Sequence, residues 1–268
     1  MRLELKSPAN ERTGIHIPDE VSNLSLPFNG SFVTQDGDEY KVKNNIIDLL
    51  GEAPESSSIA EFSNHFKLTA AIYEDIWRKR SLSLLSGEDF PIEKEHELLI
   101  EWIAPQENGL YLDLGASTAL YGRALKAAQP NADIVALDFS KQMLEEARLK
   151  SEADETDLYL LRADARELPF FSKTFDGIVM GGTLNELSDP VKVLYEANRV
   201  IKKNRAFFVM HLIKSDAWYG RLLQESVGLG GIKFWTVPES NDLFKRGGFR
   251  VDKQITRGIV CFSRLVTN

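Results

Sequence analysis

Two short apolar runs, each carrying an aspartate at its end, constrain the fold of this chain more than any other feature. The first run is YLDL at residues 111–114, and the second is IVALD at residues 134–138. Between them, residues 120–128 have apolar residues at helical spacing. The order strand, tight turn, helix and strand predicts a βαβ unit in which Asp113 and Asp138 lie near the carboxyl ends of neighbouring parallel strands.

The turn after the first run contains a single glycine. Gly115 is followed by Ser117 and Ala119 where a dinucleotide-binding turn has further glycines. A pyrophosphate must lie against bare backbone, so this turn disfavours dinucleotides and favours an adenosine-containing ligand without phosphates. If Ser117 adopts a positive φ, the cost is about 1–2 kcal/mol, which folding tolerates.

Composition excludes several classes of protein. The 268 residues carry a net charge of -8, which opposes a surface built for nucleic acid. The single cysteine rules out an intramolecular disulfide and a cysteine zinc cluster. We expect a cytoplasmic protein without a membrane partner, because no apolar stretch reaches the roughly 18 residues of a membrane helix.

The order of predicted elements indicates an α/β protein with an irregular beginning. Residues 31–42 predict a hairpin, and residues 61–86 and 92–103 predict helices. From residue 109 onward, strands and helices alternate. Strands are predicted at 110–114, 133–138, 158–162, 175–180 and 205–212, and helices at 119–129, 140–153, 189–202 and 238–246. Two final strands, at 249–255 and 258–266, predict an antiparallel hairpin.

Several motifs occur in the order found in one enzyme family. They are LDLG at 112–115, ALDFS at 136–140, RADARELPF at 162–170, TFDGIV at 174–179 and LSDP at 187–190. In this set the chain resembles the class I S-adenosylmethionine-dependent methyltransferases, and within them the quinone-biosynthesis branch. The resemblance implies a seven-stranded, mostly parallel, doubly wound Rossmann-like sheet with a C-terminal antiparallel hairpin and a small N-terminal β-rich appendage.

The resemblance also implies S-adenosylmethionine as cofactor and gives the candidate residues their roles. Asp138 would accept hydrogen bonds from the ribose hydroxyls, Asp164 from the adenine amino group, and Asp113 would fix the turn near the ammonium end. The other residues expected at the cofactor are Tyr73, Gly115, Ser117, Phe139, Met143, Ala165 and Gly181. An aspartate at a strand end also serves as a turn former or helix cap, and that structural interpretation stays open.

Three residues are candidates for contact with an acceptor. Asn185 and Glu186 follow the fourth strand of the alternating region, and His211 ends the fifth, where it would face the same rim and take a proton. Asn185 as a helix cap and His211 as a core residue are the competing interpretations. Tyr73 and Trp77 share one helical face, which fits either a lid over the cofactor or core packing.

The first residues resemble a small zinc ribbon that precedes some bacterial methyltransferases. The similarity lies in LPFNG at 26–30 and in residues 40–50, but no cysteine is present there, so we expect no bound metal. The predicted division is a ribbon-like segment at 1–58, a helical lid at 59–106 and the cofactor-binding domain at 107–268.

The function expected from these features is methyl transfer to a small organic acceptor by a monomer or homodimer. The missing nucleophile–base pair fits this reaction, since methyl transfer from a sulfonium needs mainly alignment and desolvation. A vestigial homologue that acts as a partner subunit, or that catalyses a different reaction, is the alternative, because Ser117 and Ala119 depart from the family's turn. A nicotinamide oxidoreductase fits poorly, because the phosphate-cradling glycines are absent.

Overall fold

The structure is a computed structural model that describes residues 4–6, 14–16, 28–34, 37–51, 90–228 and 231–268. The helix predicted at 61–86, with Tyr73 and Trp77, lies outside the described residues. No helix within these ranges has both the length and the apolar character needed to cross a bilayer.

Helices and strands alternate from residue 92 to residue 162, and the chain ends in two consecutive strands. The strands are β1 (Glu4–Lys6), β2 (Gly14–His16), β3 (Gly30–Val33), β4 (Glu39–Lys43), β5 (Ile46–Asp48), β6 (Leu110–Leu114), β7 (Asp133–Asp138), β8 (Tyr159–Arg162), β9 (Phe175–Gly181), β10 (Ile201–Leu212), β11 (Phe249–Arg257) and β12 (Val260–Thr267). The helices are α1 (Ile92–Ile103), α2 (Leu120–Ala128), α3 (Lys141–Ala153), α4 (Pro190–Val200), α5 (Trp218–Gly228) and α6 (Val237–Arg246), with a 3-10 helix at Thr183–Glu186.

One ten-stranded sheet organises the chain, in the order β11-β12-β10-β9-β6-β7-β8-β5-β4-β3. Strands β6 to β10 run parallel, and β12 is antiparallel to both β10 and β11. The mostly parallel α/β sheet with a C-terminal antiparallel hairpin confirms the predicted fold class. The carboxyl ends of β6, β7, β8 and β9 share one edge of the sheet, and this edge carries the candidate site.

The sheet has ten strands rather than the seven expected, because β3, β4 and β5 extend it. The predicted hairpin at 31–42 is present as β3 and β4, while β5 pairs in parallel with β8. Phe32, Tyr40, Val42 and Ile47 are buried in the same apolar cluster as Phe170. Strands β3 to β5, which we call the N-terminal strands, are therefore packed into the core of the main sheet.

Two apolar layers, one on each face, hold the sheet. One layer packs Val193, Leu194 and Ala197 of α4 and Phe244 of α6 against the sheet. The other packs α1, α2 and α3 against the opposite face, with buried side chains that include Leu99, Leu125 and Leu144. Strand β7 is covered on both faces, which explains its nearly continuous apolar sequence.

Side-chain caps fix the starts of three helices. Ser140 caps α3 by accepting a hydrogen bond from the Met143 amide at 3.4 Å, and Asp189 caps α4 through the Lys192 amide at 3.1 Å. Thr236 and Glu239 form a capping box at the start of α6. Helix α5 was not predicted, and β10 begins at residue 201 rather than 205.

The burial of Phe32 tests whether the N-terminal strands belong to the cooperative core. Phe32→Ala should lower the free energy of unfolding by about 2–4 kcal/mol, because it leaves a cavity beside a buried cluster. Val33→Ala, at a side chain that is 65% exposed on the same strand, should change it by less than about 0.5 kcal/mol. Urea unfolding followed by circular dichroism measures both. An unfolding curve unaffected by Phe32→Ala would show that these strands unfold independently.

Candidate cofactor-binding site

The carboxylate of Asp138 organises the edge where β6 and β7 end. Its Oδ2 atom accepts a hydrogen bond from the Ser117 amide at 2.8 Å, and its Oδ1 atom accepts one from the Ser140 amide at 2.8 Å. Burial raises the pKa of Asp138 above the ordinary aspartate value, although these two amides act in the opposite direction. The turn after β6 and the start of α3 are thus held together by one acidic side chain.

The turn after β6 contains left-handed residues that are not glycine. Ser117 has φ of 51° and Ala119 has φ of 56°. The Ser117 hydroxyl lies 3.5 Å from the sulfur of Met143, which brings two predicted cofactor residues into contact. Helix α2 begins directly after Ala119, so its first amides point toward this edge.

Asp113 is buried beneath the same turn. It is 2% exposed, and its Oδ2 atom accepts a hydrogen bond from the Gly122 amide at 2.8 Å in the first turn of α2. This contact ties the first turn of α2 to the end of β6. A carboxylate at a helix N-terminus also offsets the positive end of the helix dipole.

A neighbouring loop leaves no room for a side chain at Gly115. It has φ of 68°, and a Cβ atom added there would lie 2.6 Å from the Thr183 hydroxyl oxygen. That hydroxyl donates a hydrogen bond to the Gly115 carbonyl at 2.8 Å. The turn after β6 and the loop after Gly181, the last residue of β9, are therefore in direct contact.

Asp164 follows β8 at the same edge and binds a neighbour in its own loop. The Nε and Nη2 atoms of Arg166 donate to its carboxylate at 3.0 and 2.6 Å. Partial burial raises the pKa of Asp164, but the hydrogen bonds and charge of Arg166 outweigh it, so the pKa lies below the ordinary value. The next residue, Ala165, packs partly buried against the core.

Asn185 has a structural position. Its side-chain amide donates to the carbonyls of Leu212 and Lys233 at 2.8 and 2.6 Å, and its carbonyl accepts from the Leu212 amide at 2.8 Å. The side chain is 2% exposed and joins β10 to the loop before α6. The expectation that Asn185 contacts an acceptor is not supported by this geometry, whereas Glu186 beside it is exposed.

His211 lies in the core. It is fully buried, and its ring packs edge-on against Phe244 with centroids 5.6 Å apart. Neither ring nitrogen has a hydrogen-bond partner among the described residues. Burial lowers its pKa to about 4, so the ring is neutral at pH 7. The prediction that His211 faces the rim is wrong, because strand alternation directs this side chain beneath α6.

Sequence comparisons agree with this geometry. A family model described as a methyltransferase domain matches residues 112–209. A demethylmenaquinone methyltransferase of Thermotoga maritima is 34% identical over 168 residues, which cover 62% of this chain and 67% of that protein. The chain belongs to the class I S-adenosylmethionine-dependent methyltransferases. It spans 18% to 53% of the length of several other curated relatives.

Solved structures share the fold. A SAM-dependent methyltransferase from Aquifex aeolicus aligns with a TM-score of 0.54 at 22% identity, over 64% of this chain and 88% of that one. The [4+2]-cyclase SpnF aligns with a TM-score of 0.55 at 16% identity, over 65% and 81% of the two chains. Because one fold is shared by proteins named for different reactions, the family assignment rests on the sequence relatives.

Two side chains near this edge were not among the predicted site residues. Thr183 spans the two loops, as described above. Glu95 is fully buried on α1 and accepts a hydrogen bond from the Tyr121 hydroxyl, beside the start of α2. An acidic residue on the apolar stripe that contains Ile92 and Leu99 is the signal that points to Glu95. No cluster suited to a metal ion occurs among the described residues.

The left-handed turn gives a test of backbone strain. Ala119→Gly should stabilise the chain relative to Ala116→Gly by about 1–2 kcal/mol, because glycine removes the cost of a positive φ only at position 119. Both alanines are buried in the same turn, so the pair is matched for side-chain loss. Urea unfolding of the two variants gives the difference, and equal stabilities would contradict a strained turn.

His211 gives a test of pH dependence. The unfolded chain binds a proton at this imidazole near pH 6.5 and the folded chain near pH 4, so acidification through this window favours unfolding. The stability of the wild type relative to His211→Met should fall by about 2–3 kcal/mol between pH 7 and pH 4.5. Carboxylates titrate equally in both proteins and cancel. Parallel curves of unfolding free energy against pH would show that His211 is accessible to protons in the folded chain.

Proposed function

We propose that this chain transfers the methyl group of S-adenosylmethionine to a small organic acceptor. The observation that carries the proposal is the Asp138 carboxylate, held by the Ser117 and Ser140 amides where β7 ends beside the turn after β6. The name of the Thermotoga maritima relative favours a quinone-type ring as acceptor.

The chemistry of the described residues fits this cofactor. A carboxylate has about four positions for accepting hydrogen bonds. The amides of Ser117 and Ser140 occupy two on Asp138, and the Phe139 amide also acts on this carboxylate. The accepting capacity that is left can serve a ribose hydroxyl. Phe139 and Met143 supply apolar and polarisable surface for an adenine ring. No phosphate has to be accommodated, which agrees with Ser117 and Ala119 in place of glycines.

The residues of the chain would bind and orient the cofactor rather than activate it. When bound, the cofactor supplies an electrophilic methyl group on a sulfonium, so alignment and exclusion of water are the main requirements. The amides at the start of α2 would hold the carboxylate of the amino acid part. Asp113, which already binds the Gly122 amide, would keep that helix start in place.

An acceptor would approach from the loop after β9. This loop follows Gly181 and carries Thr183, and Glu186 is exposed at the end of its 3-10 helix. Glu186 is our candidate for receiving a proton from an acceptor that loses one on methylation. Neither Asn185 nor His211 enters this proposal, because both are buried.

We further propose that the chain acts in the cytoplasm as a monomer or homodimer, without nucleic acid or membrane partners. The net charge of -8 supports the first exclusion, since nucleic-acid affinity depends on a basic surface. The segments 1–58, 59–106 and 107–268 stay our proposed division of the chain, with the first integrated into the sheet through β3 to β5.

Calorimetric titration with S-adenosylhomocysteine tests the proposal. Asp138→Ala should weaken binding by about 1.5–3 kcal/mol, the scale of hydrogen bonds to a charged group. Asp164→Ala should weaken it less, because adenine also contacts apolar side chains. Asp133→Ala, at the amino end of the same strand, should leave it unchanged. Undiminished affinity in Asp138→Ala would contradict the ribose assignment, and absence of binding by the wild type at millimolar ligand would contradict the function.

A further inference from the structure

A buried ion pair joins β5 to β8, where the strands β3 to β5 meet the parallel part of the sheet. Asp48 ends β5 and Arg162 ends β8, and the parallel register places these two residues side by side. The Nη1 atom of Arg162 donates to both carboxylate oxygens of Asp48, at 3.0 and 3.2 Å. Their side chains are only 6% and 14% exposed. Each charge therefore depends on the other for compensation.

The same guanidinium reaches the candidate cofactor site. Its Nε atom donates to the Phe139 carbonyl at 3.1 Å. Its Cζ atom lies 5.9 Å from the centre of the Phe139 ring. Nη1 also donates to the Gly51 carbonyl at 2.8 Å. Arg162 thus connects the end of the N-terminal strands to the peptide that follows Asp138.

The connection continues through Asp138. Phe139 lies between Asp138 and Ser140, and the Asp138 carboxylate holds the amides of Ser140 and Ser117. A fixed Phe139 carbonyl restricts the rotation of this peptide, and with it the direction of the Asp138 side chain. A path of directly bonded groups therefore runs from β5 to the turn after β6.

Stability alone does not account for this ion pair. Removing two charges from water costs about as much as their attraction returns, so a buried pair contributes little net stability. The N-terminal strands are already held by buried apolar side chains, among them Phe32, Val42 and Ile47. What the pair adds is a fixed position for the Phe139 carbonyl, through the rigid, planar geometry of arginine.

We propose that Arg162 and Asp48 are positioning residues for the adenosine part of the cofactor, so that the N-terminal strands complete the cofactor site. The inference rests on the proposed function, since it assumes that Asp138 and Phe139 bind adenosine. It gives β3 to β5 a role beyond packing: they supply Asp48, which orients Arg162.

A second buried carboxylate provides a matched control. Asp176, whose side chain is 12% exposed, pairs with Lys202 at 2.7 Å and Arg205 at 3.3 Å. It also accepts a hydrogen bond from the Leu110 amide at 3.2 Å. Asp176 lies at the amino end of β9, on the edge of the sheet opposite the site. Asp176 thus resembles Asp48 in its burial and in its ion pairing, but it differs from Asp48 in its position relative to the site.

The test compares Arg162→Lys, Asp48→Asn and Asp176→Asn with the wild type. Lysine retains a cation for Asp48 but donates from a single nitrogen, so it cannot reproduce the arginine geometry. S-adenosylhomocysteine and 5′-methylthioadenosine are titrated by calorimetry, well below the thermal midpoint of each variant. Arg162→Lys and Asp48→Asn should each lose about tenfold in affinity for both ligands, because both contain adenosine. Asp176→Asn should stay within about twofold, whatever its thermal stability.

Amide hydrogen exchange in the ligand-free chain gives a second measurement. The amides of Ser117 and Ser140 should exchange faster in Arg162→Lys and Asp48→Asn than in Asp176→Asn. If the wild type and all three variants bind with equal affinity, the inference is overturned and the proposed function stands. A loss confined to S-adenosylhomocysteine would also overturn it, since the effect would then lie at the amino acid end. Absence of binding by the wild type would refute the proposed function itself.

Discussion

The carboxylate of Asp138 is the contact on which the candidate site depends. Its two oxygens bind the Ser117 and Ser140 amides, so one side chain holds the end of β6, the end of β7 and the start of α3. Without it, the left-handed turn at Ser117 and Ala119 would lack a partner that offsets its strain. Binding residues in this fold come from several strands, and Asp138 sets their mutual positions.

Around this contact, some side chains build the edge through hydrogen bonds to backbone groups, and others are exposed or half-buried at it. Asp113, Thr183 and Asn185 form hydrogen bonds to backbone groups, which join β6 to α2 and join other segments that are more distant in sequence. Asp138 retains accepting capacity, and Glu186 is exposed. A methyltransferase can work with few reactive groups because its donor is already activated, so most polar residues here serve geometry.

How much the sequence predicts depends on how local the signal is. Strands β6 and β7 and helix α3 were predicted almost to the residue, because periodicity and the Ser140 cap lie within each segment. A positive φ at Ser117 was considered from the sequence only as a condition, and the left-handed conformation of Ala119 was not considered. Pairing of β5 with β8 was not predicted, since these strands are more than a hundred residues apart and the sequence of neither strand indicates its partner. His211 was misplaced because alternation gives the face of a strand but not what covers that face.

The N-terminal strands also change which backbone groups of the sheet are unpaired. Strand β8 hydrogen-bonds to β7 on one side and β5 on the other, so it is an interior strand. Among the described residues, the outer edge on this side is β3, with four residues. A short edge strand offers little backbone for pairing with another chain, whereas an exposed β8 would have presented a strand that ends in the candidate site. The extension therefore protects this end of the sheet from edge-to-edge association.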